Sequence, residues 1–251
     1  MGTSLNSVMA ERHARGARTS LIVLGCEGAL GTAVLSLTPK GMDIIGVDQH
    51  PRSSTLIHEQ YYRCDFADRR QIQKLLDTFP IRRLDQLVLI SCIGKFGEET
   101  FPADKAFNPD IFYESVQVNL LGVAHFVAEI LSRADHVAKK RIVLVGSTAA
   151  HVGSRDLGYG IAKAGLNGLV VSLSKVLANR ATTVIGINPG VFESPMSAAA
   201  SKARRDQAVN HTHIRRAGTV DEIGNLVNYA AFEAPDYLTG TILNINGGQY
   251  A

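Results

Sequence analysis

The 251-residue sequence has no tryptophan, only 6% aromatic residues, eight prolines and three cysteines. So little proline, with 23 glycines in no regular repeat, excludes collagen-like and proline-rich chains. No run of about 18 consecutive apolar residues occurs, so the usual sign of a membrane-spanning helix is missing. Cys26, Cys64 and Cys92 are odd in number and contain no CxxC pair. A zinc site or a disulfide framework is therefore not expected, and a reducing cytoplasm fits best. The first residues hold no apolar stretch of roughly 7–15 residues, so no secretory signal is expected. A surplus of one charge is missing too. The net charge is +3, and Arg12, Arg15 and Arg18 against Glu11 place +2 of it in residues 1–18. A body so near neutrality lacks the basic face of a nucleic-acid binder. Residues 1–18 read as a flexible basic arm and residues 19–251 as one domain.

What is present is alternation. Short β-branched runs lie at 20–25, 43–48, 60–65, 84–91, 141–147, 182–188 and 241–246, most of them apolar throughout. A strand covered on both faces reads that way. Between them lie helical stretches near 29–39, 68–79, 110–133, 157–180 and 219–233. This pattern predicts an α/β fold: a doubly wound parallel sheet of about seven strands, with helices on both faces. Ligands of such sheets bind beyond the carboxyl ends of the strands, where strand order reverses. Strand ends are therefore where chemistry is sought.

The first strand runs into Gly25-Cys26-Glu27-Gly28-Ala29-Leu30-Gly31 and then a helix. Glycines permit the tight turn and a close backbone approach to a pyrophosphate, and the helix N-terminus supplies amide donors. Asp48 closes the second strand, where a carboxylate would accept hydrogen bonds from an adenosine ribose and repel a 2′-phosphate, favouring NAD over NADP. Arg52, four residues further on, would instead be able to meet a phosphate. Asp65, ending the third strand, fits a contact with the adenine edge.

Ser147 ends the fifth strand, and Tyr159 and Lys163 follow four residues apart on one helix face. Bringing a phenol with a pKa near 10 into use at pH 7 needs about 4 kcal/mol. A cation about 4 Å away, at an effective dielectric of about 20, supplies roughly that much. Tyr159 is then expected to serve as general acid–base on a substrate oxygen that Ser147 orients.

In these residues the chain resembles the short-chain dehydrogenase/reductase family over about residues 20–250. The likeness is carried by GCEGALG, by CDFAD with Asp65 and Phe66, by Asn119 in VQVNLLG and by Ser147 in VLVGS. It continues through YGIAK, NPGVFES and LTGTILNINGG. The resemblance implies a Rossmann-type fold and a catalytic tetrad of Asn119, Ser147, Tyr159 and Lys163. Asn119 would hold a water beside Lys163, and Lys163 would also bind the nicotinamide ribose. Pro189, Gly190, Val191 and Ser194 would border the carboxamide. Three departures stand out: Ala29 replaces a glycine, Ser194 replaces a threonine, and Ser91-Cys92-Ile93-Gly94 replaces the usual NNAG, leaving Gly94 as its cofactor neighbour.

Residues 191–216 are expected to form a lid over the substrate. They hold Lys202, Arg204, Arg205, Arg215 and Arg216 against Glu193 and Asp206, so an anionic substrate and a merely solvated face both remain open. His211 and His213 lack the partners of a metal site. His151, Phe96 and Phe192 fall where they would line the substrate pocket. The small residues of helix 157–180 favour burial against another subunit, and a homotetramer is expected. Together these features predict an NAD-dependent enzyme interconverting a secondary alcohol and a ketone on a small polar molecule. A same-fold epimerase and a non-catalytic dinucleotide sensor remain as alternatives.

Overall fold

The computed structural model describes residues 19–52, 60–80, 85–96, 100, 106–198 and 201–250. The expected basic arm lies outside them. Seven parallel strands form one sheet: β1 (Thr19–Leu24), β2 (Asp43–Asp48), β3 (Gln60–Arg63), β4 (Gln86–Ser91), β5 (Lys139–Val145), β6 (Thr182–Pro189) and β7 (Thr241–Ile245). Their order is β3-β2-β1-β4-β5-β6-β7. The chain thus winds outward from β1 through β2 to β3, then crosses back to β4 on the other side. Leu24 of β1 lies in register with Ser91 of β4, so the reversal opens a crevice at these two carboxyl ends.

The helices follow from the sequence pattern. Helix α1 (Ala29–Leu37) buries Leu30, Val34 and Leu35. Helix α2 (Arg69–Thr78) is capped by Asp68 and buries Ile72, Leu75 and Leu76 on one stripe. A long helical stretch comprises α3 (Pro109–Val116), a π-helical turn (Gln117–Leu121) and α4 (Gly122–Arg133). By length and composition it is apolar enough to cross a membrane, yet half of its most apolar window is buried inside the molecule. Helix α5 (Ala149–Val152) is a single turn, and α6 (Leu157–Val176) is capped by Asp156. After β6 come α7 (Pro195–Ala198), α8 (Lys202–Asn210) and α9 (Val220–Asn228). The alternation did not announce α5, α7 or α8, because one- and two-turn polar helices carry no apolar period.

Two apolar layers hold the sheet. One packs Phe66, Ile72, Phe126, Ile130, Leu166 and Val170 against one face. The other packs Leu30, Val34, Ile223 and Val227 against the opposite face. Helices on both faces explain why the inner strands read as unbroken apolar runs.

Candidate active site

The glycine turn is built from backbone. Gly25 adopts φ +74°, and its N–H donates to the Val47 carbonyl at 2.8 Å. A Cβ on Gly31 would overlap the Gly25 carbonyl oxygen, so the helix can leave the strand this tightly only with glycine there. Gly28 caps α1 with no side-chain hydrogen bond to the helix's first amides. Those donors stand at Ala29, Leu30 and Gly31, which with Gly28 line one wall of a cavity of about 840 Å³. An uncapped helix start facing open space suits a pyrophosphate, and this is the observation that tests the fit of a dinucleotide. Ala29 in place of glycine leaves these donors in place.

The opposite wall carries the proton chemistry. Asp156 accepts the Tyr159 N–H at 2.9 Å, and Ser115 Oγ donates to the other Asp156 oxygen at 3.1 Å. The first turn of α6 is thereby pinned, with Tyr159 edge-on to Phe96 at 5.3 Å. Lys163, one turn on, is almost wholly buried, with Nζ 5.5 Å from the Tyr159 ring centre. Its ammonium donates to the carbonyls of Ile93 (2.9 Å) and Val145 (3.1 Å). A lysine has three donors, so one remains beyond these two. Gly94 exposes its α-carbon to that ammonium; a Cβ there would sit 3.8 Å from Nζ and 3.6 Å from Met196. Ser147 Oγ accepts the Ala149 N–H at 3.1 Å, and the Ser147 side chain also hydrogen-bonds the Tyr159 phenol.

The electrostatics correct one expectation. Burial raises the Tyr159 phenol above its ordinary range, the Ser147 hydrogen bond opposes this, and Asp156 adds to the rise. Lys163 donates to two carbonyls, and its nearby charge does not outweigh this rise. The same burial pushes Lys163 itself down from 10.5 to about 8. Desolvation outweighs the cation that the sequence spacing brings near. Cys26 and Cys92 are held as thiols, each pushed up to about 12 chiefly by burial.

Asn119 sits in the π-helical turn, fully buried. Its amide donates to the carbonyls of Lys95 (2.8 Å) and Ser115 (2.9 Å), and its oxygen accepts the Lys95 N–H at 2.9 Å. The side chain is therefore spent bracing the loop after β4. That loop brings Ile93 and Gly94 to Lys163, doing from a distant helix what the absent NNAG asparagine would do locally.

Asp48 is buried at the end of β2. It accepts the Glu27 N–H at 2.9 Å on one oxygen, and the His50 N–H (3.0 Å) and Nδ1 (2.8 Å) on the other. Its carboxylate thus ties the glycine turn to the second strand. His50, which the sequence reading passed over, lines both the main cavity and an adjoining hollow with Gln49, Arg63, Asp65 and Gln71. Asp65 is in that hollow, with one oxygen accepting the Ala67 N–H at 2.8 Å. The Phe66 ring is a correction: it is in the core against Phe126, ring centres 5.7 Å apart, so only its main chain can meet a ligand. Gly25 likewise closes on the Cys92 backbone rather than on the cavity.

Pro189, Gly190, Val191 and Ser194 line the cavity beside Ser147 and Tyr159. Phe96 and Phe192 do so too; His151 does not. It is turned toward Asn188 and stacks on Tyr250. In the expected lid, α7 and α8 place Met196, Arg204 and Arg205 on the cavity. Lys202 pairs with Asp206 at 2.7 Å, and Arg216 grips Glu222 with two hydrogen bonds, so these charges serve the fold. Asn188 escaped the sequence reading, although a buried polar residue ending an apolar strand is the signal that marked Ser147.

The comparisons agree with this geometry. A family model described as enoyl-(acyl carrier protein) reductase matches residues 31–249. The 3-oxoacyl-(acyl-carrier-protein) reductase FabG of Escherichia coli strain K12 is 32% identical over 237 residues, covering 91% of this chain and 96% of that one. The protein of the same name from Pseudomonas aeruginosa is 28% identical over 142 residues, and the match spans 58% of its length. A short-chain dehydrogenase family protein from Francisella tularensis superposes with a TM-score of 0.79 at 18% identity, covering 93% of this chain and 99% of that one. The chain belongs to the short-chain dehydrogenase/reductase family, and so to the oxidoreductases that work with a nicotinamide dinucleotide.

Proposed function

We propose that the protein is an NAD(H)-dependent oxidoreductase that interconverts a ketone and a secondary alcohol, with Tyr159 as the acid–base group. The observation that carries this reading is one cavity with a helix start that no side chain caps on one wall and Ser147, Tyr159 and Lys163 on the other. The nicotinamide supplies or accepts the hydride when bound. Every other task falls to the chain. The amides at Ala29, Leu30 and Gly31 hold the pyrophosphate. The remaining Lys163 donor, beside Gly94, receives the ribose hydroxyls. Ser147 orients the substrate oxygen, and Tyr159 passes the proton to it.

A phenol raised by burial holds its proton at neutral pH, the form in which it enters ketone reduction. The relatives named 3-oxoacyl-(acyl-carrier-protein) reductases act on a carbonyl, the same bond change. Phe96, Phe192 and Met196 give the substrate end of the cavity an apolar lining. For the cofactor, Asp48 supports NAD: an anion at the end of β2, held by Glu27 and His50, opposes a second negative charge nearby.

Assembly through helices is supported by exposed apolar side chains on α6 (Leu157, Ile161, Val171, Val176) beside Tyr113 and Leu121 of the neighbouring helical stretch. A homotetramer using that face remains our reading. The three cysteines stand as free thiols, which suits a cytoplasmic setting.

The test is oxidation of NADH with acetoacetyl-coenzyme A, a 3-oxoacyl thioester, and a panel of small ketones, followed at the reduced-nicotinamide absorbance. Tyr159→Phe should lower turnover at least about 100-fold while NADH binding persists. Undiminished turnover in that variant would remove Tyr159 from the mechanism. Tight NADH binding without net oxidation of cofactor by any ketone would favour an epimerase or a sensor.

A further inference from the structure

Three residues outside the tetrad meet behind Ser147. Asn188, at the end of β6 and fully buried, accepts the Ser147 backbone N–H on Oδ1 at 3.1 Å. A backbone N–H can only donate, so the amide oxygen must face Ser147 and the NH2 must face the other way. That NH2 lies 3.1 Å from His151 Nε2. The imidazole must therefore accept there, which requires its neutral form with the proton on Nδ1. The ring plane is in turn set by Tyr250, which stacks on His151 at 4.1 Å with an interplanar angle of 1°. Tyr250 is held by the turn after β7: its carbonyl accepts from Asn246 Nδ2 at 2.8 Å, and Gly247 and Gly248 take positive φ to make that turn. The lid is tied to the same turn, because His213 donates its N–H to the Gly247 carbonyl at 2.8 Å.

Around Asn188 the packing leaves little freedom. A Cβ on Gly146 would overlap Asn188 Oδ1, so the amide is pressed against the strand end that presents the serine. Ser147 thus has its N–H fixed by Asn188 and its Oγ loaded by Ala149, which leaves the hydroxyl proton for the tyrosine or the substrate oxygen.

We propose that Asn188, His151 and Tyr250 are positioning residues for Ser147. The turn after β7 holds Tyr250, Tyr250 holds the His151 ring, His151 holds the Asn188 amide, and Asn188 holds the serine. None of the three touches the reacting atoms. This rests on the reading of Ser147 given above, and it makes the turn after β7 a shared anchor for the lid and the proton-transfer site.

Two measurements test it: exchange of the Ser147 amide proton by nuclear magnetic resonance, and steady-state kinetics with NADH and acetoacetyl-coenzyme A. Asn188→Ala should speed Ser147 amide exchange about tenfold and lower kcat about fivefold, the loss of one hydrogen bond, with KM for NADH within about twofold. Tyr250→Ala, a change at a partly exposed site that spares the fold, should do the same at about threefold in each. Tyr250→Phe keeps the ring and should behave as the parent. Parent-like exchange in Tyr250→Ala would overturn the proposal whether or not the thioester is turned over. So would a Tyr250→Phe variant as impaired as Tyr250→Ala. Ser147→Ala separates the two readings. If it abolishes turnover while Tyr250→Ala and Asn188→Ala leave kcat unchanged, only the positioning proposal fails. If Ser147→Ala is as active as the parent, the reading of the site fails and takes the proposal with it.

Discussion

The two walls of the cavity are built on opposite principles. The Gly25–Gly31 wall is backbone: a left-handed glycine, a helix start without a side-chain cap, and a contact between Gly31 and the Gly25 carbonyl that admits no Cβ. The Tyr159 wall is held by side chains that converge from far apart in the chain. Asn119 grips Lys95 across 24 residues, Asn188 grips Ser147 across 41, and Lys163 reaches the Ile93 carbonyl across 70. A wall made of backbone tolerates replacement of neighbouring side chains but not the addition of one atom at its tightest point. A wall made of side chains fails by degrees, as one brace after another is removed.

Three experiments would break or sharpen that contrast. The largest effect is expected for Gly31→Ala. The new methyl meets backbone that cannot give way, and we expect a stability loss of about 3 kcal/mol or more, with NADH binding lost. Thermal and urea unfolding measure the first, and fluorescence titration the second. A variant as stable as the parent would refute the claim that this wall has no spare room.

Lys163 probes the other wall through pH. Burial lowers its pKa from 10.5 to about 8, so above about pH 8 the unfolded chain binds more protons at this site than the folded one. Stability contributed here must therefore rise with pH across that window and be flat below it. Unfolding free energies of the parent relative to Lys163→Met should move in the parent's favour by up to about 3 kcal/mol between pH 8 and 10.5. A pH-independent difference would mean that the ammonium is solvated in the folded protein. Activity should fall over the same window, as the ribose-facing cation is lost.

The smallest effect is expected where the walls meet the ribose end. Asp48→Asn removes the negative charge while keeping an oxygen for the Glu27 N–H, and should shift the preference for NADH over NADPH about tenfold toward NADPH. Competitive titration of both cofactors reads it. Tighter binding of NADPH than NADH by the parent protein would reverse our cofactor assignment.

How much was legible beforehand differs between the walls for the same reason. Gly25, Gly28 and Gly31 stand close together in sequence because a tight strand–helix turn is a local object. Tyr159 and Lys163 stand four apart because a helix face is local too. His50 carries no sequence signal, and Asn188 and the turn before Tyr250 stand in NPGVFES and LTGTILNINGG without a visible task, because each gains meaning only from a partner on another element. His151 and Phe66 were read toward the cavity from their proximity to Ser147 and Asp65. The structure turns His151 onto Asn188 and Tyr250, and sends the Phe66 ring to Phe126 in the core.

By itself, the order of residues determined the alternation of strands and helices, the parallel sheet and the placing of chemistry at strand ends. Each of these depends on periodicity and turn chemistry within a few residues. Tertiary structure alone decided which partners each polar group found and how far each was removed from water. The phenol is the clearest case. Spacing put a cation one turn away, but two distant carbonyls decided which groups that cation meets, and burial decided which way the tyrosine's proton affinity moves. Desolvation is a property of everything packed around a group, and no local stretch of sequence contains it.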